Sequence, residues 1–536
     1  MRKIGTILVI CLLLVGFAFA GGIVTNGNQS ADYFRLMNRN ASTDVDAVYF
    51  NPAGLTSLND GLNFYLSSQT IYQSRTITSD VPALKDDTFK GSTFAPVFPN
   101  FYVAYKTGNL AFGAGFIPIG GGGSAVFDDG IPSFAVPAAV LPDLLTANGI
   151  PTTDYSYDVA FEGSSTYLGG QAVVSYKIND MISVAGGARY FAATNTYKGH
   201  LKDIMVNPTY PAVGATGSMT SAPAFFTTVS GALAMGAVGA TAGAAGLEPF
   251  ISGDYADFAD VTFANIIAYN SAFQATVDGV ASGFAQLGIP FDPATMTPRV
   301  AQQYALGAAA TYTENSAAMA SYAAQTGDVE VDAKQTGSGF APIFGLYLTP
   351  MENLAIALRY EGKAAMTLTN ETKVDGSGLF PDEAETGADM PAMLGVGVAL
   401  KATPSVRVVA DMNYYFNSDV DWSGKEEYLV GGMEAGVGVE FALSESLLLS
   451  GGYLRTVNTG ALKRYHTDLS HTIPSSTFGI GGRYNVNSNL YISFGLSNTF
   501  YDDLSNSGVD YRGIVIGNET YDKNSTAVAI GVGFSL

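Results

Sequence analysis

Beyond residue 60 the chain alternates, with a period of two, between large apolar residues and small or polar ones. In LYISFGLSNTF (490–500), Leu490, Ile492, Phe494 and Leu496 share one face, and Tyr491, Ser493, Gly495 and Ser497 share the other. VRVVADMNYYF (406–416) and the closing TAVAIGVGFSL (526–536) repeat the pattern. Successive strand side chains point to opposite faces, so each run predicts a strand with one apolar face. Soluble β-sandwiches also alternate, but their strands are usually about five or six residues long, and many runs here are far longer. The second face also carries isolated charges among glycines: Arg189, Arg359, Glu361, Arg407, Asp411, Glu434, Glu440, Arg455 and Arg483. In a barrel these would point into the lumen and pair with one another or with a plug.

Connections between the runs alternate in length. KTGN (106–109), IND (178–180), TPMEN (349–353), ATPS (402–405), LSES (443–446) and NVNSN (485–489) are short. Longer stretches fall near 80–92, 118–156, 203–327, 375–388, 423–427, 458–473 and 503–520. Alternating short turns and long loops predict an all-β fold: a transmembrane antiparallel barrel of about fourteen strands, from near Gly61 to Leu536. The run at 427–442 carries the weakest strand pattern.

The third long connection, 203–327, has helical spacing instead. Phe263, Ile266, Phe273, Val277, Val280, Phe284 and Leu287 recur mostly three or four apart. Thr297-Pro298 reads as an N-cap followed by proline at the first helical position, opening an Ala-rich helix to about Gln325. The apolar stripe either packs the loop against itself and the rim or offers a surface that gathers greasy molecules. GALAMGAVGATAGAAG (231–246) is uncharged, but Gly and Ala dominate it, so it reads as a loop helix rather than a spanning one.

The first twenty residues stand apart. Arg2 and Lys3, the apolar Ile4–Phe17 and the small-x-small Ala18-Phe19-Ala20 predict a signal peptide cleaved after Ala20. Cys11, the chain's one cysteine, follows the bulky Ile10 within the apolar run, which argues against lipidation. The mature chain therefore has no disulfide. Its 47 Asp+Glu outnumber 26 Lys+Arg, two of which leave with the signal. A basic nucleic-acid surface is thereby excluded.

Between signal and barrel lie residues 21–60, a non-strand segment that ends DVDAVYFNPAGL (44–55). This layout resembles the FadL family of outer-membrane transporters for long-chain fatty acids, whose relatives include the TodX-type aromatic-hydrocarbon channels. The resemblance rests on Asp44, Asp46, Ala47, Val48, Tyr49, Phe50, Asn51, Pro52, Ala53 and Gly54. It rests also on FPNFYVAYKTGNLAFGAGFIPIGGGG (98–123), with Phe112, Gly113, Gly115, Pro118 and Gly120 in an FGxGxxxPxG pattern ahead of Asp128-Asp129-Gly130. The resemblance implies a hatch at 21–60 plugging a fourteen-stranded barrel (61–536), with Asn51, Pro52, Ala53 and Gly54 as its gate. It implies a kinked third strand (Phe112, Gly113, Gly115, Pro118, Gly120) whose side opening releases ligand into the bilayer, with Asn51, Pro52 and Ala53 against it. The implied ligand is hydrophobic, a fatty acid or aromatic hydrocarbon, and the implied setting is outer-membrane lipid of a Gram-negative-type bacterium, as a monomer. From the residues alone, Pro118 and Gly120–Gly123 either kink the strand or end it where the second loop begins.

The chain departs from the family pattern before Asp44, where the usual glycine-rich run is not evident, and at its end, where Leu536 follows Phe534 by two. Arg35 and Arg39 could meet a ligand carboxylate or form structural ion pairs. Chemistry is sparse: His200, His466 and His471 fall in or near loops, and His466 and His471 stand five apart, which is not a metal-ligand spacing. Ser470-His471 lacks a built catalytic setting, and GGGG (120–123) lacks the Lys-Ser/Thr of a phosphate loop. The expectation is a non-enzyme without cofactor or metal, a transporter rather than a surface adhesin or a hydrophilic porin.

Overall fold

The computed structural model describes residues 27, 30–458, 461–462, 466–511 and 513–536. The expected signal peptide lies outside these residues. Two compact units are present: residues 138–158 with 202–328, and the remainder of the described chain.

The larger unit is a closed antiparallel barrel. Among the described residues its wall has 14 strands, three of them in two pieces. In chain order they are β1 (Gly61–Ser79), β2 (Thr88–Thr107), β3 (Leu110–Phe127), β4 (Tyr155–Lys177), β5 (Ile182–Val206), β6 (Val329–Met351) and β7 (Leu354–Glu361, then Thr367–Asp375). They continue as β8 (Glu385–Gly387, then Met393–Thr403), β9 (Val406–Tyr415), β10 (Gly432–Ala442), β11 (Leu447–Asn458), β12 (Ser475–Asn485), β13 (Leu490–Tyr501, then Leu504–Tyr511) and β14 (Val515–Ser535). Closure is made by β1 and β14, which pair from Asn63–Ser535 through Ser79–Glu519. The last residue takes part, as Leu536 N–H donates to the Leu62 carbonyl at 2.7 Å. Closure leaves no unpaired edge for another chain to join. Strand β10 is present where the sequence pattern was weakest.

The alternation sorts as expected. Outward positions carry large exposed apolar side chains, among them Leu66, Phe94, Tyr190, Phe340, Ile480 and Ile530. A soluble protein rarely leaves so broad an apolar surface bare, whereas lipid covers it. Several inward charges are paired. Arg189 meets Glu361 at 2.5 Å, Glu361 also binds Arg359, and Arg407 meets Glu440 at 2.8 Å.

Ser30–Thr56 forms a plug within the barrel, and its side chains are buried apart from those of Ser42-adjacent Thr43 and Asp44. Helix α1 (Ala31–Leu36) is capped by Ser30, whose hydroxyl accepts the Tyr33 amide. A second short helix, α2 (Ala47–Phe50), leads into a 3₁₀ turn, Pro52–Ser57. Arg35 and Arg39 form structural ion pairs: Arg35 with Asp32 and Glu440 at 2.7 Å each, Arg39 with Asp44 and Asp46 at 2.6 Å each. The inward glycines of the wall make room for this chain. A side chain at Gly452 would collide with the Leu36 carbonyl, and one at Gly345 would lie 2.5 Å from Asn51 Oδ1.

The smaller unit is largely helical. Thr297 Oγ1 accepts the Val300 amide and opens the Pro298–Gln325 helix, as the sequence predicts. This helix lies along Ala222–Gly246, the uncharged run: Phe226 stacks on Tyr322 at 5.3 Å and Ser230 bonds Ser316. Phe263, Ile266, Val277 and Phe284 are buried in this unit's own core. The apolar stripe of the third loop is thus spent on packing.

Candidate functional site

The plug, the β2–β3 seam and the inward face of β1 and β14 form the candidate site. β2 and β3 pair from Thr107–Leu110 to Phe101–Phe116 and once more at Ser92–Val126. Between these points, residues 93–100 and 117–125 form no ladder pairs with each other. β3 stays paired to β4 throughout, but with register shifts at Pro118/Gly120 and Gly121/Gly123. Gly121 and Gly123 have φ of 84° and 87°, a left-handed backbone that glycine adopts without steric penalty. These shifts bend β3 away from β2.

Proline also shapes the other side of the seam. Pro96 and Pro99 both lie in the unpaired stretch of β2, so two backbone amides that would be stranded at an opened edge do not exist. Asn100, on the inward face of β2, is 0% exposed, and neither its Nδ2 nor its Oδ1 has a partner among the described residues. Buried Tyr102, Ile117 and Ile119 line the same region and join Val48, Tyr49 and Phe50 of the plug in one apolar cluster.

The structure places the sequence-predicted residues unevenly around this seam. Pro118 and Gly120 lie within it. Phe112, Gly113 and Gly115 lie instead in the paired part of β3, opposite Tyr105, Ala104 and Tyr102. Phe112 points outward and is exposed. Gly113 is a packing position, since a Cβ there would sit 2.8 Å from Val48 and 2.9 Å from Leu55 of the plug. The Asn51–Gly54 turn is held mainly by other strands. Asn51 Nδ2 donates to the carbonyls of Leu346 on β6 (3.1 Å) and Leu358 on β7 (3.2 Å), while its Oδ1 caps Ala53 N–H at 3.2 Å. The Pro52 carbonyl accepts Ser175 Oγ of β4 at 2.6 Å. Ala53 is fully buried, and at Gly54 a side chain would collide with the Ser42 carbonyl. The plug touches β3 through Val48 and Leu55 at Gly113, below the seam.

Two residues that the sequence reading passed over stand out electrostatically. Arg75 on β1 lies directly opposite Lys523 on β14. Arg75 Nε donates to Gln73 Oε1 at 2.9 Å, and Lys523 Nζ lies 4.7 Å from the Tyr501 ring centre. Among the described residues no carboxylate forms an ion pair with either. Every acidic residue of the chain is described, so the pair is uncompensated. His471, from the connection after β11, stacks on Tyr521 at 4.7 Å, and burial together with the Arg75 and Lys523 charges pushes its pKa down to about 3. Two adjacent cations enclosed in a barrel are costly unless an anion joins them. Only the closure of β1 on β14 brings them together; the sequence signal was an isolated cation in each of two alternating runs.

Among the described residues no cluster of His, Cys, Asp and Glu is arranged to hold a metal ion.

Neither a protein-family model nor a curated protein sequence matches the chain. Solved structures do. A Pseudomonas aeruginosa FadL homologue superposes over 96% of this chain and 99% of its own, with a TM-score of 0.57 and 11% identity. The chain has the FadL fold. The Pseudomonas putida toluene transporter TodX covers 96% of this chain and 100% of its own, at a TM-score of 0.51 and 13% identity. A TodX variant described as a monoaromatic hydrocarbon channel matches at 0.51 and 14% identity over the same 96%. At these identities the likeness is one of fold.

Proposed function

We propose that this protein is an outer-membrane channel through which hydrophobic small molecules are taken up, and that its preferred ligands are acyl chains with a carboxylate head. The observation that carries the reading is a barrel with a filled lumen whose wall is interrupted at its side. An apolar molecule entering from the long-loop end meets a plug below it and an unpaired seam beside it. Release through the β2–β3 seam into lipid avoids exposing the chain to water, at about 0.8 kcal/mol per methylene. The apolar outer belt of the FadL-type barrel supports a place in the outer membrane of a Gram-negative-type bacterium, working as a monomer. The plug argues against a hydrophilic porin, and the self-packed third loop against an adhesive apolar surface.

The Arg75–Lys523 pair supports the carboxylate. A carboxylate between them would supply the missing anion, with its chain running along the apolar cluster toward Ile117 and Ile119. The second reading is a channel for head-less hydrocarbons, favoured by the toluene and monoaromatic transport named for the structural neighbours. Binding of a long-chain fatty acid and of the matching alkane to purified protein separates the two. Arg75→Met and Lys523→Met should each weaken fatty-acid binding about tenfold or more, the worth of a charged hydrogen bond, and leave alkane binding unchanged. Equal fatty-acid affinity in both variants would assign the channel to hydrocarbons. Binding of neither ligand by the unaltered protein would overturn the uptake reading itself.

A further inference from the structure

The wall is interrupted a second time, between β6 and β7. These strands pair through Ile343–Glu361 and again from Thr336–Thr369. Between them Gly362 N–H donates to the Pro342 carbonyl at 2.9 Å, and residues 337–341 face 363–368 without ladder pairs. The register shifts by one residue across the break, and Pro342 cannot donate to it. Small residues stand on both sides of the break, Gly337, Ser338 and Gly339 facing Ala364 and Ala365, beside the larger Phe340, Met366 and Leu368.

A pit of about 900 Å³ opens on the outer surface at this seam. It runs from lipid-facing Tyr190 and Ser338 to buried Met366 and Asp389. On the other side of Asp389 is a second, narrow cavity of about 30 Å³, lined by Tyr197, Leu368, Met390 and Trp422 together with polar Asn195 and Gln335. Asp389 lines both. Its carboxylate accepts the amides of Met366 and Asp421 at 3.0 Å each and Lys363 Nζ at 3.1 Å, and its carbonyl accepts Trp422 Nε1 at 2.8 Å. The side chain of Asp389 is 6% exposed and that of Lys363 is 44% exposed, so the ion pair reaches from the open pit to the wall that the inner cavity shares.

Behind this latch the apolar lining is continuous. Phe191, Ala341, Met366 and Met390 at the β6–β7 seam belong to the same buried cluster as Tyr102, Ile117 and Ile119 at the β2–β3 seam. Tyr49 and Phe50 of the plug belong to this cluster as well. The narrow cavity has room for about one water, so an acyl chain passes only if β7 moves off β6. The broken ladder, the small facing residues and a latch built of side chains all make that motion local.

Resting on the reading of the barrel as a channel for hydrophobic molecules, we propose that the β6–β7 seam is a second side portal, through which an acyl chain passes between the bilayer and the lumen past the Lys363–Asp389 latch. The inner end of the passage, where Phe191, Ala341, Met366 and Met390 cluster, suits an apolar chain, whereas its outer pit is lined by Thr336, Ser338, Thr367 and Thr369 beside the latch.

Cysteine pairs test this directly, since Cys11 is the chain's one cysteine. Ser338→Cys with Thr367→Cys continues the Thr336–Thr369 register and staples the β6–β7 seam when oxidised. Thr93→Cys with Ala125→Cys continues the Ser92–Val126 register and staples the β2–β3 seam. Trp422, the one tryptophan, lines the narrow cavity and reports on entry. The full chain is reconstituted in vesicles of acyl-brominated phosphatidylcholine, and uptake of a fluorescent fatty acid is followed in parallel. With the β6–β7 pair reduced, bromolipid should quench Trp422 about threefold more than with it oxidised, and oxidation should slow acyl-chain exchange by a similar factor, as a closed gate does. Equal quenching and equal exchange in both states overturn the portal. If oxidising the β2–β3 pair then stops uptake, the transport reading stands without it. Quenching that depends on the β6–β7 staple in a protein that carries no fatty acid would uphold the portal and overturn the transport reading.

Discussion

Arg483 of the barrel wall grips Asp44 of the plug with both arms of its guanidinium. Nη1 donates to Oδ1 at 2.9 Å and Nη2 to Oδ2 at 2.8 Å, and Nη2 also reaches Asp32 Oδ1 at 2.8 Å. The pair is separated by 439 positions in the chain. It fixes the entry to DVDAVYFNPAGL against β12. A two-point contact of this kind sets orientation as well as attraction.

Arg483→Met should therefore free the plug while leaving the wall intact. Asp44 keeps Arg39 and Asp32 keeps Arg35, so the loss is that of charged hydrogen bonds within a network, about 1.5–3 kcal/mol. The expected outcome is a barrel that still shows heat-modifiable migration but passes ion current across planar bilayers, with protease cleavage appearing between residues 30 and 60.

Asn51 offers a sharper test, because its two roles can be separated. Asn51→Asp keeps the cap on Ala53 N–H but removes the donors to Leu346 and Leu358 and turns a carboxylate toward their carbonyls. Asn51→Ala loses both. If the strand contacts hold the turn, Asp should be at least as damaging as Ala, each costing about 1–3 kcal/mol of plug seating. Conductance and uptake, measured together, check this; a mild Asp variant beside a severe Ala variant would assign the residue to capping alone.

Gly121 carries the bend of β3. Its φ of 84° is unfavourable for a residue with a Cβ, and a Cβ there would also strike the Ser165 carbonyl. Gly121→Ala should lose both terms, so β3 straightens toward β2 or the barrel assembles poorly. Gly108, with φ of 54° and open space around it, is the control and should lose only about 1–2 kcal/mol. Uptake falling in Gly121→Ala but not in Gly108→Ala, at equal barrel content, is the expected result.

The segment 466–474 should loosen in acid. Burial pushes the pKa of His466 from 6.5 down to about 4, and burial with Arg75 and Lys523 pushes His471 down to about 3. Below pH 6.5 the unfolded segment therefore binds protons that the folded one refuses. Folded stability is complete above that value and declines as pH falls toward 4 and then 3. Protection of the amides across 466–474, measured relative to their intrinsic exchange rates, should fall between pH 7.5 and 5, and His466→Gln should flatten the dependence.

Much of the wall was legible because strand alternation is a local property. A residue's face in LYISFGLSNTF follows from its parity, and an apolar face repeated over such lengths has few destinations besides lipid. The third-loop helix was legible for a similar reason, since Thr297-Pro298 is a local signal. The seam was only half legible. Pro118 and Gly120 announce irregular backbone, yet FGxGxxxPxG does not say where pairing with β2 stops. Phe112, Gly113 and Gly115 belong to the paired side, and Pro96 and Pro99 in APVFPN mark the other edge.

What the sequence by itself determined is the architecture: strands by parity, turns by their proline, glycine and asparagine, and a plug by the absence of both alternation and long helix. Those follow from interactions between neighbours in the chain. The tertiary structure alone decided which residues share a site. Arg75 meets Lys523 because the first strand closes on the last, and Arg483 meets Asp44 because the plug folds back inside. Asn51 donates to carbonyls of β6 and β7, 295 and 307 positions away in the chain. Barrel closure and register are set by the sum of all strand pairings, and no single stretch of sequence contains that sum.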